Sequence, residues 1–349
     1  MLNSHTPFGL SYICREFTLA RSLLFFSLFF GYLSVWSQNR FEYSHQQMGT
    51  WIRLVLYAPN KEKADSVSVL AFQRIDGLNT ILSDYLLNSE LNLLSNKKSG
   101  THQVSDDLYR VLKKADSISR LTEGAFDVTV GPLTKLWRKA GRTKKMPGKR
   151  ELSKARQSVG YGLLHFTDPN KVRLNSEGIQ LDLGGIGKGF AADEVIKILE
   201  SKGIHSGLVD MGGDIRVSDP PPGRDYWVLG FYYFDRYGKE HFQRIKLKEG
   251  AVATSGDLYR FVEINGSRFS HIIDSKTGVA LKGGIQVTTI SRYAADADAF
   301  ASAFSVIGLD ENALRDMDCR NLEVFMTNQS ETGYKHWESP GFGRFLIVE

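Results

Sequence analysis

The sequence predicts a protein of mixed α/β class, because stretches with helical spacing of apolar residues alternate with stretches typical of strands. Residues 46–58 alternate in hydrophobicity after Gly49 and end at a Pro-Asn pair, which is typical of a strand. Residues 61–83 carry apolar side chains at the three- and four-residue spacing of a helix. From residue 220 onwards, aromatic segments separated by tight turns indicate antiparallel strands.

Residues 1–37 are predicted to be a signal peptide or an N-terminal membrane anchor. Arg15 and Arg21 precede an uncharged run from Ser22 to Ser37, which is the order of charged and apolar regions in a secretory signal. The run is also long enough to be kept as an anchor. We therefore expect residues 38–349 to act outside the cytoplasm, in the periplasm or on the outer face of the inner membrane.

The composition excludes two classes of site. The net charge is only +5, and no block of Lys and Arg interleaved with aromatic residues is present, so nucleic-acid binding has no support. Once the leader with Cys14 is removed, Cys319 is the only cysteine. An internal disulfide and a cysteine-based metal cluster are therefore excluded.

The segment after the first helix carries several candidate ligand groups. Composition favours Tyr85 as a core aromatic, although it could also contact a ligand. Residues 106–121 predict a second helix with an acidic start. The carboxylate of Asp127 follows soon after that helix and would either bind donors of a ligand or cap the helix end. Residues 138–157 are basic and rich in turn formers, and we interpret them as a solvent-exposed excursion.

The stretch LDLGGIGKGFAAD at 181–193 is the strongest chemical signal in the chain. A predicted strand ending at Asp182 leads into glycines, a lysine and an amphipathic helix; the glycines are Gly184, Gly185, Gly187 and Gly189. Glycines let the backbone approach a ligand closely, and the start of the helix offers unpaired N–H groups. Lys188 adds a mobile cation. The stretch therefore predicts a phosphate site, with a simple change of chain direction as the alternative.

Two familiar nucleotide motifs compete for this stretch. A Walker loop is excluded, because Asp182 and Gly189 stand where that motif needs Gly and Ser or Thr. A Rossmann fingerprint stays open, because Gly187, Gly189 and Ala191 fit its spacing and Asp210 follows at about the expected distance. Against it, the Asp182 carboxylate would repel a pyrophosphate unless a cation lay between them.

The second half of the chain offers a candidate base and a candidate metal site. His271 lies in a short apolar strand, where it would be a base, a metal ligand or a structural histidine. Asp298 and Ser302 are four residues apart in an alanine-rich predicted helix and therefore share one face. Together with a carbonyl of the glycine stretch they would form the all-oxygen site that Mg²⁺ prefers. Alternatively, Asp298 would only complement the helix dipole.

Eight segments in order give the chain a family resemblance. They are MGT (48–50), SELNLLS (89–95), TEGAFDVTVGPL (122–133), LDLGGIGKGFAAD (181–193), VDMGGDI (209–215), TSGD (254–257), SHIIDSKTG (270–278) and ADAFASAFSVIG (297–308). This set resembles the ApbE family, the FAD:protein FMN transferases, and spans almost all of the chain after the leader. The resemblance implies a mixed α/β fold related to the T-fold, with residues 38–349 as a single catalytic unit.

The resemblance also implies an activity and a set of site residues. Such an enzyme depends on Mg²⁺, cleaves the pyrophosphate of FAD, releases AMP and attaches FMN to a Thr or Ser hydroxyl of an acceptor, typically a subunit of a membrane redox complex. The positions that match the family's FAD contacts are Met48, Tyr85, Ala125, Phe126, Asp127, Asp182, Lys188, His271 and Ile272. The positions that match its metal ligands are the Gly185 carbonyl, Asp298 and Ser302.

For this chemistry Lys188 would neutralise the pyrophosphate, and His271 is our candidate base for the acceptor hydroxyl, with Asp257 as second choice. Two departures from the family pattern are Ser302, where Thr is usual, and glycine at 184 and 185, where Ala or Ser is common. We expect weaker metal affinity from them. An FAD pyrophosphatase, a non-catalytic flavin carrier and the Rossmann oxidoreductase stay open as alternatives.

Overall fold

The computed structural model describes residues 38–256, 261–310, 314, 322–330 and 333–347. The predicted leader, residues 1–37, and the candidate base Asp257 lie outside these ranges. Contacts divide the chain into one unit of residues 1–38 and a second, compact unit of residues 39–349. Over the described ranges, no helix combines the length and the apolar character needed to cross a membrane.

Helices and strands alternate along the second unit. In the described ranges the helices are α1 (Lys61–Leu82), α2 (Glu90–Ser95), α3 (Asp106–Leu121), α4 (Gly131–Thr143), α5 (Lys149–Arg156), α6 (Gly187–Ser201) and α7 (Ala294–Ile307). The strands are β1 (Asn39–Gln47), β2 (Thr50–Ala58), β3 (Gly100–Gln103), β4 (Leu164–Asp168), β5 (Lys171–Leu174), β6 (Gly207–Asp210), β7 (Ile215–Val217), β8 (Trp227–Phe234), β9 (Glu240–Leu247), β10 (Gly250–Gly256), β11 (Phe261–Ile264), β12 (Ser267–Ile273), β13 (Ala280–Lys282), β14 (Ile285–Ser291), β15 (Leu322–Ser330) and β16 (Gly333–Glu338).

The central feature is an eight-stranded sheet with the order β1-β2-β6-β7-β10-β14-β15-β16. Its neighbouring strands all pair antiparallel. Smaller sheets are formed by β11-β12-β13, by β3-β5-β4 and by the β8-β9 hairpin. A Rossmann fold needs a parallel sheet, so that alternative is wrong, and the predicted mixed α/β class is confirmed.

The large sheet is covered on both faces. Leu54 and Leu56 of β2 pack into a core with α1, α6 and α7. Val55, between them in sequence, packs instead with Trp227 and Leu229 of the β8-β9 hairpin, because successive side chains of a strand point to opposite faces. The helical face therefore carries both α6, which begins in the glycine stretch, and α7, which carries the candidate metal ligands.

Helix α1 and helix α3 follow the predicted periodicity closely. Asn60 caps the start of α1 by accepting from the Lys63 N–H at 2.9 Å, and Ser105 caps α3 by accepting from the Leu108 N–H at 3.2 Å. Both helices are confirmed, the first ending at Leu82.

Two local predictions are wrong, and a third is confirmed only in part. Residues 46–58 are not one strand but the end of β1, a turn and β2, because Met48 and Gly49 take positive φ angles of 52° and 71°. The basic residues 138–157 are mostly exposed to solvent, as predicted, but they form α4 and α5 and not a run of turns. The strand expected before Asp182 is reduced to a single bridge between Val130 and Gln180.

Candidate active site

The glycine loop, residues 182–187, is a tight turn that leads directly into α6. The N–H groups of Ile186 and Gly187 both donate to the Leu183 carbonyl, at 3.1 and 2.8 Å. Asp182 folds back onto the loop, since its Oδ1 accepts from the Gly184 N–H at 2.8 Å. The turn delivers the N-terminal end of α6 to the helical face of the sheet, where the Gly187 N–H is bonded to the Leu183 carbonyl and the Gly189 N–H to Asp298.

Two glycines let the loop and α6 touch α7. A Cβ on Gly189 would lie 2.2 Å from the carbonyl oxygen of Ala294, and a Cβ on Gly185 would lie 2.8 Å from Oγ of Ser302. Both distances are shorter than real side-chain contacts. At Gly189 the neighbour is backbone, so glycine is required there for α6 and α7 to approach as closely as they do, whereas the Ser302 hydroxyl beside Gly185 can rotate away.

Lys188 forms an ion pair with Asp214, which lies immediately before β7. The carboxylate of Asp214 is almost completely buried. The sequence predicts Lys188 as a mobile cation, whereas the structure holds its ammonium group against the second glycine pair of the chain. The role of Asp214 is not predicted from the sequence, although its place beside Gly212-Gly213 in a tight turn is a usable signal.

The three predicted metal ligands lie together at the glycine loop. Asp298 is buried in α7, and its Oδ2 accepts from the Gly189 N–H at 3.3 Å. Burial first, and then the nearby Asp214 carboxylate, raise the pKa of Asp298 to about 8, although Lys188 acts in the opposite direction. Ser302 lies one turn further along α7, next to Gly185.

These donors are a carboxylate, a hydroxyl and a backbone carbonyl. In the described ranges no three or more His, Cys, Asp or Glu side chains come together as a metal site. A cation at the loop would therefore need further oxygens from a ligand or from water, which is usual for Mg²⁺. Asp296 is not part of this group, because it pairs with Lys114 at 2.6 Å.

Arg138 connects two carboxylates and an aromatic ring beside the glycine loop. Its guanidinium lies 2.5 Å from Asp84 Oδ2 and 3.6 Å from Asp182 Oδ2. The same group lies 4.2 Å from the centroid of the Tyr85 ring. Burial and the charge of Asp182 raise the pKa of Asp84, although Arg138 opposes this effect.

Arg138 thus supplies the cation that the isolated Asp182 carboxylate required. Sequence reasoning missed Arg138, because it stands at the head of a basic run that was interpreted as solvent-exposed. The core interpretation of Tyr85 is wrong, since this residue is 74% exposed. Its exposed face, with a guanidinium against the ring, is open to stacking by a planar ligand.

The loop after α3 packs beneath the glycine loop. Phe126 is buried, and its ring carbon lies 3.4 Å from the Cβ position of Gly185. Asp127 is buried and accepts from the Thr129 N–H at 2.8 Å and from its hydroxyl at 2.7 Å. Burial raises the pKa of Asp127. Asp127 therefore organises its own loop and does not cap α3.

A cavity of about 430 Å³ lies beside Asp127. Its wall includes Gly124, Asp127, Tyr161, Ser275 and Lys276. The hydroxyl of Ser275 donates to the Gly124 carbonyl at 2.6 Å, which holds the segment after β12 against the loop after α3. The two family motifs that contain these residues are therefore adjacent in space.

His271 lies within β12 and its side chain is exposed, while Ile272 next to it is buried. Strand β12 packs against α7, the helix of the candidate metal ligands. Met48 reaches the site from another direction, because its methyl group lies 3.8 Å from the Cβ position of Gly187. Ala125 and Ile272 are buried, so their side chains contribute to packing more than to an open surface.

The structure thus brings most predicted site residues to the N-terminal end of α6. Gly185, Asp298, Ser302, Lys188 and Met48 contact that end or lie next to it, and Asp182 begins the loop. Tyr85 is linked through Arg138. Sequence reasoning missed Arg138, Asp84 and Asp214.

Comparisons with known proteins all point to one family. The family model described as "ApbE family" matches residues 48–326. The FAD:protein FMN transferase of Vibrio cholerae is 31% identical over 277 residues, which cover 78% of this chain and 82% of that protein. The FAD:protein FMN transferase of Treponema pallidum is 30% identical over 292 residues, covering 78% and 80%.

Solved structures agree. The flavin transferase ApbE from Vibrio cholerae superposes with a TM-score of 0.79 at 28% identity, covering 88% of this chain and all of that one. The ApbE protein from Thermotoga maritima gives a TM-score of 0.78 at 29% identity, covering 89% and 100%. The family model matches most of the chain, and the matched residues include the site at the glycine loop. The chain therefore belongs to the ApbE family.

Proposed function

We propose that this chain is an FAD:protein FMN transferase that uses Mg²⁺ to move FMN from FAD to a Thr or Ser hydroxyl of an acceptor protein and releases AMP. Family membership and the names of its relatives support the flavin transfer. The observation that carries the chemistry is the placement of Lys188, Asp298 and Ser302 around the N-terminal end of α6.

The pyrophosphate of FAD is assigned to the glycine loop and the first turn of α6. The helix dipole favours an anion at the start of a helix, although in α6 the N–H groups of Gly187 and Gly189 are already bonded, to the Leu183 carbonyl and to Asp298. Lys188 lies in that first turn, with Asp214 restricting the position of its ammonium group. Arg138 adds a second cation near the loop, beside Asp182.

The residues present fit a magnesium ion. The carboxylate of Asp298, the hydroxyl of Ser302 and the carbonyl of Gly185 would hold it, and all three are the oxygen donors that a hard cation prefers. Asp298 is buried, and a cation beside it would offset the cost of burying its charge. When bound, Mg²⁺ supplies positive charge that stabilises the charge developing on the phosphoryl oxygens.

The transfer step is a displacement at phosphorus. The bond between the FMN phosphorus and the bridging oxygen breaks, and AMP leaves with that oxygen. A new bond forms between the same phosphorus and the acceptor oxygen, whose proton passes to a base. His271 is assigned as that base, because its exposed side chain on β12 is open to a protein acceptor. Asp257 is the second candidate.

Tyr85 and the cavity beside Asp127 are assigned to the two ends of FAD. The exposed ring of Tyr85, with Arg138 against it, offers a stacking surface for a flavin or adenine ring. The wall of the cavity is formed by the loop after α3, the end of α5 with the segment that follows it, and the loop after β12, and it offers both polar and apolar groups, which suits a ring or a ribose.

The predicted leader supports a location outside the cytoplasm. We propose that residues 1–37 direct export or anchor the chain, that residues 38–349 form the catalytic unit, and that the acceptor is a flavin-carrying subunit of a membrane redox complex. A fusion of residues 1–40 to a reporter that is active only after export should give signal. Signal from a cytoplasmic reporter alone would contradict this location.

The activity itself is tested by mixing the purified protein with FAD, MgCl₂ and a candidate acceptor, and measuring the intact mass of the acceptor. A mass increase equal to one FMN supports the transferase. Release of FMN and AMP without any acceptor adduct would indicate an FAD pyrophosphatase instead. Absence of both products across several acceptors would contradict both reactions.

A further inference from the structure

Helix α7 begins without a cap of its own. Its N-cap residue, Tyr293, makes no side-chain hydrogen bond to the first turn. Asp193 of α6 takes this role instead, accepting from the N–H groups of Ala294 at 2.9 Å and Ala295 at 3.0 Å. The first N–H groups of a helix have no partner within it, so a carboxylate from a neighbouring helix satisfies the start of α7.

Helix α7 in turn supplies an acceptor to the start of α6. Ile186, the N-cap of α6, also makes no side-chain capping bond. The Gly189 N–H in the first turn of α6 donates to Asp298 of α7 at 3.3 Å. Each helix therefore contributes a carboxylate to the start of the other, and Asp298 is at once part of this exchange and the candidate metal ligand.

Asp193 is itself held in place by a buried arginine. The Nε of Arg216, in β7, lies 3.4 Å from Asp193 Oδ1, and both side chains are less than 10% exposed. Arg216 is fixed in turn, because it donates to the Gly250 carbonyl at 3.0 Å. Asp214, two residues earlier, pairs with Lys188. Two ion pairs thus tie α6 to the segment around β7.

Few large side chains of α7 are buried: Phe304 packs against β14 and β15, and most of the other buried side chains are small. Most of the buried residues of α7 are alanines. These alanines are Ala294, Ala295, Ala297, Ala299, Ala301 and Ala303. Small side chains allow close approach but interdigitate weakly, so polar contacts are needed to set how far the helix slides along its neighbour. The two hydrogen bonds to Asp193 are such contacts, and they lie one turn before Asp298.

We infer that Asp193 is a positioning residue for the magnesium site, which it serves by holding α7 against α6 so that Asp298 and Ser302 face Gly185. This inference rests on the proposed function, since it concerns the same metal site. Asp193 does not touch the metal ligands through its own side chain. Its removal leaves two buried N–H groups unsatisfied, and the start of α7 then has to move to reach other acceptors.

The test replaces Asp193 in the full chain and measures the requirement for Mg²⁺ in two ways. Asp193→Asn keeps one acceptor oxygen and nearly the same shape, whereas Asp193→Ala removes both oxygens. Residues that support metal ligands typically change metal affinity by about 10- to 100-fold when mutated. We expect the MgCl₂ concentration for half-maximal AMP release to rise about tenfold in Asp193→Asn and further in Asp193→Ala.

Saturating MgCl₂ should restore kcat in Asp193→Asn, and the KM for FAD should stay within about twofold. The second readout needs no turnover: the rise in melting temperature on titration with MgCl₂ should shift to higher concentration by the same factor. If Asp193→Ala does not fold, Asp193→Asn carries the test alone.

Glu194→Gln is the matched control. Glu194 is the next residue of α6 and is also buried, but it pairs with Arg74 at 2.6 Å and Arg110 at 2.9 Å on the side of α1 and α3. Its loss should lower stability without changing the MgCl₂ requirement. A wild-type MgCl₂ requirement in Asp193→Asn, or an equal shift in both variants, would overturn the positioning role.

The melting titration also separates this inference from the proposed function. A wild-type protein that makes no FMN adduct contradicts the transferase, while the shift in its MgCl₂-dependent melting can still be compared with that of Asp193→Asn. If Asp193→Asn needs more MgCl₂ than wild type for the same rise in melting temperature, or shows no rise, the inference is supported. An unchanged MgCl₂ dependence of the melting temperature overturns it.

Discussion

Gly189→Ala should separate the two helices that build the site. The added Cβ would lie 2.2 Å from the carbonyl oxygen of Ala294, whereas ordinary contacts begin at 3.4 Å. The neighbour is backbone and cannot rotate away, so α6 and α7 must move apart by roughly 1 Å. Overpacking of this kind costs about 1–3 kcal/mol, and alanine regains up to about 1 kcal/mol of helix propensity. We expect a net loss of about 1–2 kcal/mol.

The assay is urea unfolding together with the MgCl₂ dependence of AMP release. Movement of α6 lengthens the bond from the Gly189 N–H to Asp298, now 3.3 Å, so half-maximal activity should need several-fold more MgCl₂. Gly77→Ala in α1 is the matched control, because its Cβ would meet nothing within 4 Å. That variant should gain about 0.5–1 kcal/mol of stability with an unchanged MgCl₂ requirement. A Gly189→Ala protein as stable as wild type would refute the close-contact argument.

The other predictions concern the metal, the base and the charge network on α6. Asp298→Ala should abolish MgCl₂-dependent FAD cleavage with the fold intact by circular dichroism; full activity would remove it from the metal site. Ser302→Thr should keep or improve MgCl₂ affinity in activity titrations, because the methyl group restricts the rotamer, and a large loss would contradict the ligand placement. His271→Ala should lower FMN attachment by about 10²- to 10⁴-fold with FAD affinity by fluorescence little changed; a parallel loss of both would make it a binding residue. Burial alone would raise the pKa of Glu194, but hydrogen bonds from Arg110, Lys197 and Arg74 lower it to about 2. The stability that the Glu194 carboxylate contributes is therefore fully present above about pH 4.5 and is lost as the pH falls through about 2. The stability difference between wild type and Glu194→Gln, measured by urea unfolding, should shrink over that window.

Local signals in the sequence are strong where the interactions are local. Helices α1 and α3 are predictable because each combines apolar periodicity with a capping residue directly before it, Asn60 and Ser105. The common face of Asp298 and Ser302 follows from helical geometry alone. The β1-β2 turn is harder, since Met48 at positive φ is a conformation that its side chain does not favour.

The features that the sequence does not predict depend on contacts between residues far apart in the chain. Arg138 meets Asp84 from 54 residues away, and nothing in the basic run around it distinguishes this arginine from its solvent-exposed neighbours. Asp193 looks like an ordinary polar residue of a helix until α7, about 100 residues later, is placed against it. The order of strands in the large sheet also depends on distant contacts, because β2 pairs with β6 and helices α1 to α6 lie between these two strands in the sequence.

If the glycine loop transfers FMN to protein with the help of Mg²⁺, AMP and attached FMN must form in a fixed ratio. In one reaction with the wild-type protein, FAD, MgCl₂ and acceptor, AMP is measured by chromatography and attached FMN by intact mass of the acceptor. We expect equal amounts of AMP and attached FMN at every time point, and neither product without MgCl₂ or with Asp298→Ala. Attachment of FMN at an undiminished rate in the presence of a metal chelator would contradict this expectation.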